Sequence, residues 1–169
     1  MRFHGFGYEL PPNILTSDAI EERLTPVYEK LKLPKGRLEL MSGIRERRLW
    51  DKGTRPSDAA VLAGKKALAE AGIPSSELDC LIFTSVSRDM MEPATASFVH
   101  HKLGLAERCL VFDISNACLG FLDGMVMLAN MIELGQVKTV WWSPEKRPRS
   151  CWSRLFAPWL STRLSTENR

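Results

Sequence analysis

No apolar run in this chain of 169 residues reaches the roughly 18 residues that a membrane span needs. The opening Met1-Arg2-Phe3-His4-Gly5 lacks the apolar core of a secretory signal, so a cytoplasmic location is the expectation. The four cysteines, Cys80, Cys109, Cys118 and Cys151, stand far apart and form no CxxC pair. Their spacing argues against a zinc site or a disulfide framework and fits a reducing compartment. There is also no sustained excess of one charge. Residues 1–140 hold 17 Lys/Arg and 18 Asp/Glu, whereas residues 141–169 hold six basic residues and two acidic ones. The net charge of +3 therefore comes from the end of the chain. It gives no reason to expect nucleic-acid binding by the body. A hydrophobic fraction of 44% and a charged fraction of 25% are those of a globular protein with one core.

The apolar pattern divides 1–140 into alternating strands and helices. Phe3 to Tyr8 reads as a short opening strand, broken by Pro11-Pro12. Thr16-Ser17-Asp18 offers N-caps for a helix running to about Leu31, which Pro26 kinks or shortens. Pro34-Lys35-Gly36 is a loop, and Gly43 to Leu49 is an exposed strand or extended loop. Pro56-Ser57-Asp58 opens a helix that Gly72 closes. Leu81–Thr84 is a buried strand, and Ala94 to Leu103 a helix closed by Gly104. A strand over Cys109–Asp113 and a long apolar helix from Leu119 to Leu134 follow. Continuous apolar strands between helices indicate an α/β layered fold with much parallel sheet.

Cys118 is the chemically informative residue. It stands where the Leu110–Phe112 strand runs through small and polar residues into the last helix, at a strand-to-helix corner and on the first turn of that helix. A helix N-terminus offers free N–H groups and a partial positive charge, which favour the nucleophilic thiolate. A buried structural cysteine is the plainer account of the same position.

Residues 141–169 depart from the pattern. They carry Trp141, Trp142, Trp152 and Trp159, four of the five tryptophans, with no sustained period. One reading is an atypical tail. A sharper one is a shifted reading frame, since the codons of Trp141-Trp142-Ser143-Pro144-Glu145-Lys146, read one base earlier, permit Leu-Val-Val-Ser-Gly-Glu. That would be a buried strand ending in a turn.

Residues 1–140 resemble the N-terminal half of a thiolase-superfamily ketosynthase of the ketoacyl synthase III type. The matching pieces are Gly43-Ile44 with Arg47-Arg48, Asp58-Ala59-Ala60, Ala71-Gly72-Ile73, Thr84 to Asp89, Glu92 to Ser97 and the corner from Phe112 to Phe121. Ser85 to Ser97, with Glu92 ahead of Pro93, looks most like the long-chain acyl-CoA head-to-head condensing enzymes of bacterial olefin synthesis. The resemblance implies half of a layered αβαβα fold, a mixed sheet flanked by helices. It implies Cys118 as the nucleophile that holds an acyl group and Glu92 as the base, reaching the site from the partner of a homodimer. The substrates implied are acyl-CoA or acyl-carrier-protein thioesters, joined by Claisen condensation in fatty-acid or olefin metabolism, with no cofactor and no metal.

Family members are about twice this length and supply a histidine and an asparagine from their other half, which nothing here matches. The expectation is an incomplete, inactive fragment of such an enzyme. One alternative is a synthase that starts fatty-acid synthesis with a malonyl donor; another is a non-catalytic half-domain or a degraded gene product. Plainer roles suffice for other residues. Arg88 and Asp89 read as a surface ion pair, Asn116 as a turn former, and His100 and His101 as helix-end residues. His4 reads as an ordinary strand or surface residue. Arg45, Arg47 and Arg48 are candidates for a phosphate-bearing carrier, with a solvated or ion-paired strand face as the plainer reading.

Overall fold

The computed structural model describes residues 3–143, which fall into two compact units. One comprises 3–9 and 54–143, the other 10–53. Of residues 141–169, read as a tail or a shifted frame, 144–169 lie outside the described residues.

The larger unit is built on three parallel strands. β3 (Cys80–Phe83) lies between β4 (Leu110–Asp113) and β5 (Val140–Ser143), with Phe83 beside Asp113 and Ser143. All four residues of β3 are fully buried. Leu81 and Phe83 pack on one face with Ala60, Val61 and Ala67 of α4 (Pro56–Ala71) and Ala96 and Val99 of α5 (Thr95–Leu103). Cys80 and Ile82 pack on the other with Leu128 and Ile132 of α6 (Gly120–Glu133). Each large side chain so buried stabilises the fold by about 1.5–3 kcal/mol. The result is an α–β–α layering, as the alternating pattern indicates. All pairing in this sheet is parallel.

Two glycines set the spacing of the layers. A Cβ on Gly64 would come within 3.0 Å of the Trp141 ring, and one on Gly124 within 2.6 Å of the Thr84 methyl. The expected strand over Phe3–Tyr8 is not formed. Gly5 and Gly7 instead press against α4, where a Cβ on Gly7 would sit 2.1 Å from the Ala63 carbonyl oxygen.

β5 runs three residues past the boundary read at 140. Trp141 and Trp142 point to opposite faces and are 3% and 0% exposed. Among the described residues neither indole N–H has a hydrogen-bond partner.

The smaller unit pairs β1 (Asn13–Thr16) antiparallel with β2 (Glu46–Leu49). The helix expected from Asp18 to Leu31 is two helices, α1 (Ser17–Arg23) and α2 (Thr25–Lys30), broken at Leu24 ahead of Pro26. Thr16 caps α1 by accepting the Ala19 N–H at 3.1 Å. A short α3 (Arg37–Ser42) lies between Gly36 and Gly43, both at positive φ. The buried Glu21 carboxylate accepts the N–H groups of Gly36 and Leu38, each at 2.6 Å, and the Tyr28 hydroxyl at 3.0 Å. The Leu38 N–H leads in holding its pKa below the ordinary 4.5, against the opposing effect of burial.

Two expectations follow. A depressed folded pKa stabilises the protein above the unfolded value and loses that contribution as pH falls through the folded one. Glu21→Gln should therefore lower the unfolding midpoint at neutral pH, and the gap to wild type should close below the ordinary value of 4.5. Denaturant titration across pH measures this. Trp→Phe at 141 or 142 removes a donor whose unmet burial costs about 1–3 kcal/mol. Either change should shift stability by less than about 1 kcal/mol, far from the ~3–5 of a Trp→Ala cavity. Urea midpoints check it, and a loss above about 2 kcal/mol on Trp→Phe would contradict the orphaned N–H.

Candidate active site

β4 delivers the chain to a sharp turn. Ile114 donates its N–H to the Phe83 carbonyl at 2.9 Å, the last sheet-like bond before the turn. The Asn116 carbonyl then accepts the N–H groups of Leu119 (2.8 Å) and Gly120 (3.0 Å). Ala117 lies between them at φ 40°, a left-handed conformation that L-residues with a Cβ seldom adopt. Such strain persists only where the surroundings hold it. The Asn116 side-chain amide supplies one such hold, donating to the Asp123 carboxylate of α6 at 2.5 Å. Asn116 is thus the turn former expected, with a second bond that spacing alone does not reveal.

Cys118 sits in the single 3₁₀ turn Ala117–Leu119, two residues ahead of α6, and is exposed. It precedes the helix where the sequence pattern put it inside the first turn. Gly120 stands beside both strand ends: a Cβ there would make ordinary contact, at 3.6 Å, with the carbonyl oxygens of Thr84 and Ile114. The thiol therefore lies by the C-terminal ends of parallel strands, the usual ligand end of an open α/β sheet. The other two described cysteines differ. Cys80 and Cys109 are buried, and burial pushes their pKa values up to about 12 and about 11. Both stay thiols at neutral pH. Cys151 lies outside the described residues.

Glu92 is exposed in the segment between β3 and α5, ahead of a cis bond to Pro93. Met90 and Met91 beside it are exposed as well. Asp89 forms no ion pair with Arg88 of the kind expected. Its carboxylate instead accepts the N–H (2.9 Å) and hydroxyl (2.6 Å) of Ser57 at the start of α4. Asp113, which the sequence reading passed over, accepts the N–H groups of Thr95 and Ala96. Thr84, just past β3, is buried as the strand reading expects, but among the described residues its hydroxyl has no partner, which spacing does not reveal.

Arg45, Arg47 and Arg48 do not form one basic face. Arg47 is buried and donates to the Ser17 hydroxyl at 3.0 Å, and that hydroxyl in turn donates to the Ile44 carbonyl. Arg48 pairs with Glu46 at 3.6 Å, and Arg45 is exposed. Arg47 is thereby withdrawn from any carrier phosphate. His100 bonds the Ala106 carbonyl at 3.0 Å, a helix-end role as expected; His101 is exposed and His4 half-buried.

No family model matches the chain. Curated relatives do. An acyl-CoA:acyl-CoA alkyltransferase of Shewanella oneidensis is 47% identical over 135 residues, covering 80% of this chain and 39% of the relative. A β-ketoacyl-[acyl-carrier-protein] synthase III of Koribacter versatilis is 41% identical over 134 residues, covering 79% and 38%. Among solved structures, cerulenin-bound OleA of Xanthomonas campestris superimposes with a TM-score of 0.81 at 42% identity, covering 83% of this chain and 41% of that one. FabH of Xanthomonas oryzae pv. oryzae does so with 0.82 at 41%, covering 86% and 43%. The chain spans about two fifths of the length of the curated relatives it matches.

The three described thiols should separate chemically. Iodoacetamide applied to the folded chain near neutral pH should alkylate Cys118 and leave Cys80 and Cys109 unmodified until denaturant is added. Peptide mapping reads this out, and early labelling of Cys80 would contradict the burial described.

Proposed function

From a chain that is homologous over 80% of its length to thiolase-like condensing enzymes of the ketoacyl synthase III type, we propose that Cys118 takes an acyl group from an acyl thioester. The observation that carries this reading is an exposed thiol on a strained strand-to-helix turn, beside two thiols that are buried. The Cys118 thiolate attacks the thioester carbonyl carbon. The tetrahedral intermediate collapses and expels the carrier thiolate, which takes up a proton, leaving an acyl-cysteine.

The second half-reaction joins a second acyl thioester. Glu92 removes a proton from its α-carbon, the carbanion attacks the acyl-cysteine carbonyl, and the Cys118 thiolate leaves. The product is a β-ketoacyl thioester. In a homodimer the exposed Met90-Met91-Glu92 tip serves the partner's site, as the resemblance to the olefin-type enzymes implies. Acyl-CoA is the donor favoured, because the relative of 47% identity is an acyl-CoA:acyl-CoA alkyltransferase. The likeness to a β-ketoacyl-[acyl-carrier-protein] synthase III supports a second reading, with a malonyl donor that loses carbon dioxide. The resemblance assigns a polarising histidine and asparagine to positions this chain does not match. The 169-residue chain alone therefore stops at the acyl-cysteine.

Incubation with decanoyl-CoA and intact mass should show one decanoyl adduct, mapped to Cys118. Cys118→Ala should abolish it, and Glu92→Gln should leave its rate within about twofold, because the base acts only in the second step. A folded chain that takes no adduct would remove the nucleophile, and a β-keto product from the chain alone would overturn the stop at the acyl-cysteine.

A further inference from the structure

Acyl transfer as proposed uses Cys118 and Glu92. A run of polar contacts between their two segments is left without a role. Asp113 is the last residue of β4, five positions before Cys118. Its carboxylate accepts the N–H of Thr95 at 2.7 Å and of Ala96 at 2.8 Å, the first two residues of α5. Ala94, at the cap position, has no side-chain oxygen to do this. The cap is instead supplied from a strand, where a carboxylate also meets the positive end of the helix.

The same helix start closes the Glu92 segment. The Thr95 hydroxyl accepts the Asp89 N–H at 3.2 Å. Asp89 holds Ser57 through two further bonds, and Lys102 donates to the Ser57 hydroxyl at 2.7 Å and to Asp58 at 2.6 Å. Segment 89–95 is thus pinned at both ends, while Met90, Met91 and Glu92 are exposed between them. At its far end the pin is Asp113, on the strand that runs on into the Cys118 turn.

We propose that Asp113 is a positioning residue of the acyl-transfer site: one carboxylate sets the place of the Glu92 segment and of the Cys118 turn together. The proposal rests on the acyl-transfer reading above. An ionised carboxylate only accepts hydrogen bonds, so it matches two converging N–H donors. Asparagine presents one acceptor and one NH₂ group, and the NH₂ faces a donor. Asp113→Asn therefore keeps one bond and turns the other into a clash of two donors, with little change of shape.

Three full-length forms decide the matter: the unchanged chain, Asp113→Asn, and Asp89→Asn, which frees only the end held by α4. The readouts are the melting midpoint, amide exchange of peptides spanning 89–96 and 114–120, and Cys118 acylation against decanoyl-CoA concentration. Asp113→Asn should speed exchange about tenfold or more in both peptides. Its limiting acylation rate should fall at least about fivefold, with the half-saturating concentration within about twofold. Asp89→Asn should speed exchange in 89–96 alone and keep acylation within about twofold. Unaltered 114–120 exchange and limiting rate in Asp113→Asn would overturn the proposal. So would Asp89→Asn slowing acylation as much, since that is general loosening. If Asp113→Asn does not fold, Asp113→Glu replaces it, with the same two acceptors on a longer stem; a limiting rate equal to the unchanged chain's overturns the proposal there. If the unchanged chain takes no acyl group, the acyl-transfer reading fails by itself. Exchange then judges the link, upheld by faster exchange in both peptides and overturned by faster exchange in one.

Discussion

Complete burial of one four-residue strand is the constraint from which the described site hangs. β3 has no exposed residue, so it must be covered on both faces and paired on both edges. The helices α4 and α5 cover one face, α6 the other, and β4 and β5 take the edges. Parallel pairing with β4 then fixes where the chain ends its strand, opposite Phe83. α6 must turn back over the sheet from that point, because Ile82 and Cys80 need its Leu128 and Ile132. The sharp turn that carries Cys118 follows from that demand, and Gly124 supplies the clearance against Thr84.

Strain and exposure meet at the same place. The left-handed Ala117 is spanned by bonds: the Asn116 carbonyl accepts from Leu119 and Gly120, and the Asn116 amide donates to Asp123. A cysteine in such a turn is presented outward, whereas Cys80 and Cys109 belong to the buried part of the fold. The difference between the exposed and the buried thiols is thus one of backbone path more than of local composition.

The parts of the fold legible in the sequence are those with long unbroken apolar signals and strong punctuation. α4, between Pro56 and Gly72, and α6, after the glycine-bearing corner, fall within a residue or so of their expected bounds. What was not legible depends on partners distant in sequence. α3 and the 34–38 loop are organised by the Glu21 carboxylate, which lies 15 and 17 residues from its N–H partners. β1 has no alternating pattern, and only its pairing with β2 makes it a strand. Phe3 to Tyr8 alternates well enough for a strand, yet its glycines serve contact with a helix. At the candidate site, spacing located Cys118 and left burial and exposure both open. It could not reveal Asp113 or Asp89, whose partners lie 17 to 32 residues away. The strand Val140–Ser143 is not legible in the sequence, because paired tryptophans do not resemble a buried strand until β3 is beside them.

In the proposed reading, folding turns Cys118 from an ordinary cysteine into an accessible acyl acceptor. Acylation of Cys118 by decanoyl-CoA, timed by intact mass in the native chain and again in urea, tests it most directly. The account predicts a faster, saturable reaction in the native chain, and slow, unsaturated reaction at all cysteines in urea. An equal or slower native rate at Cys118 would contradict it.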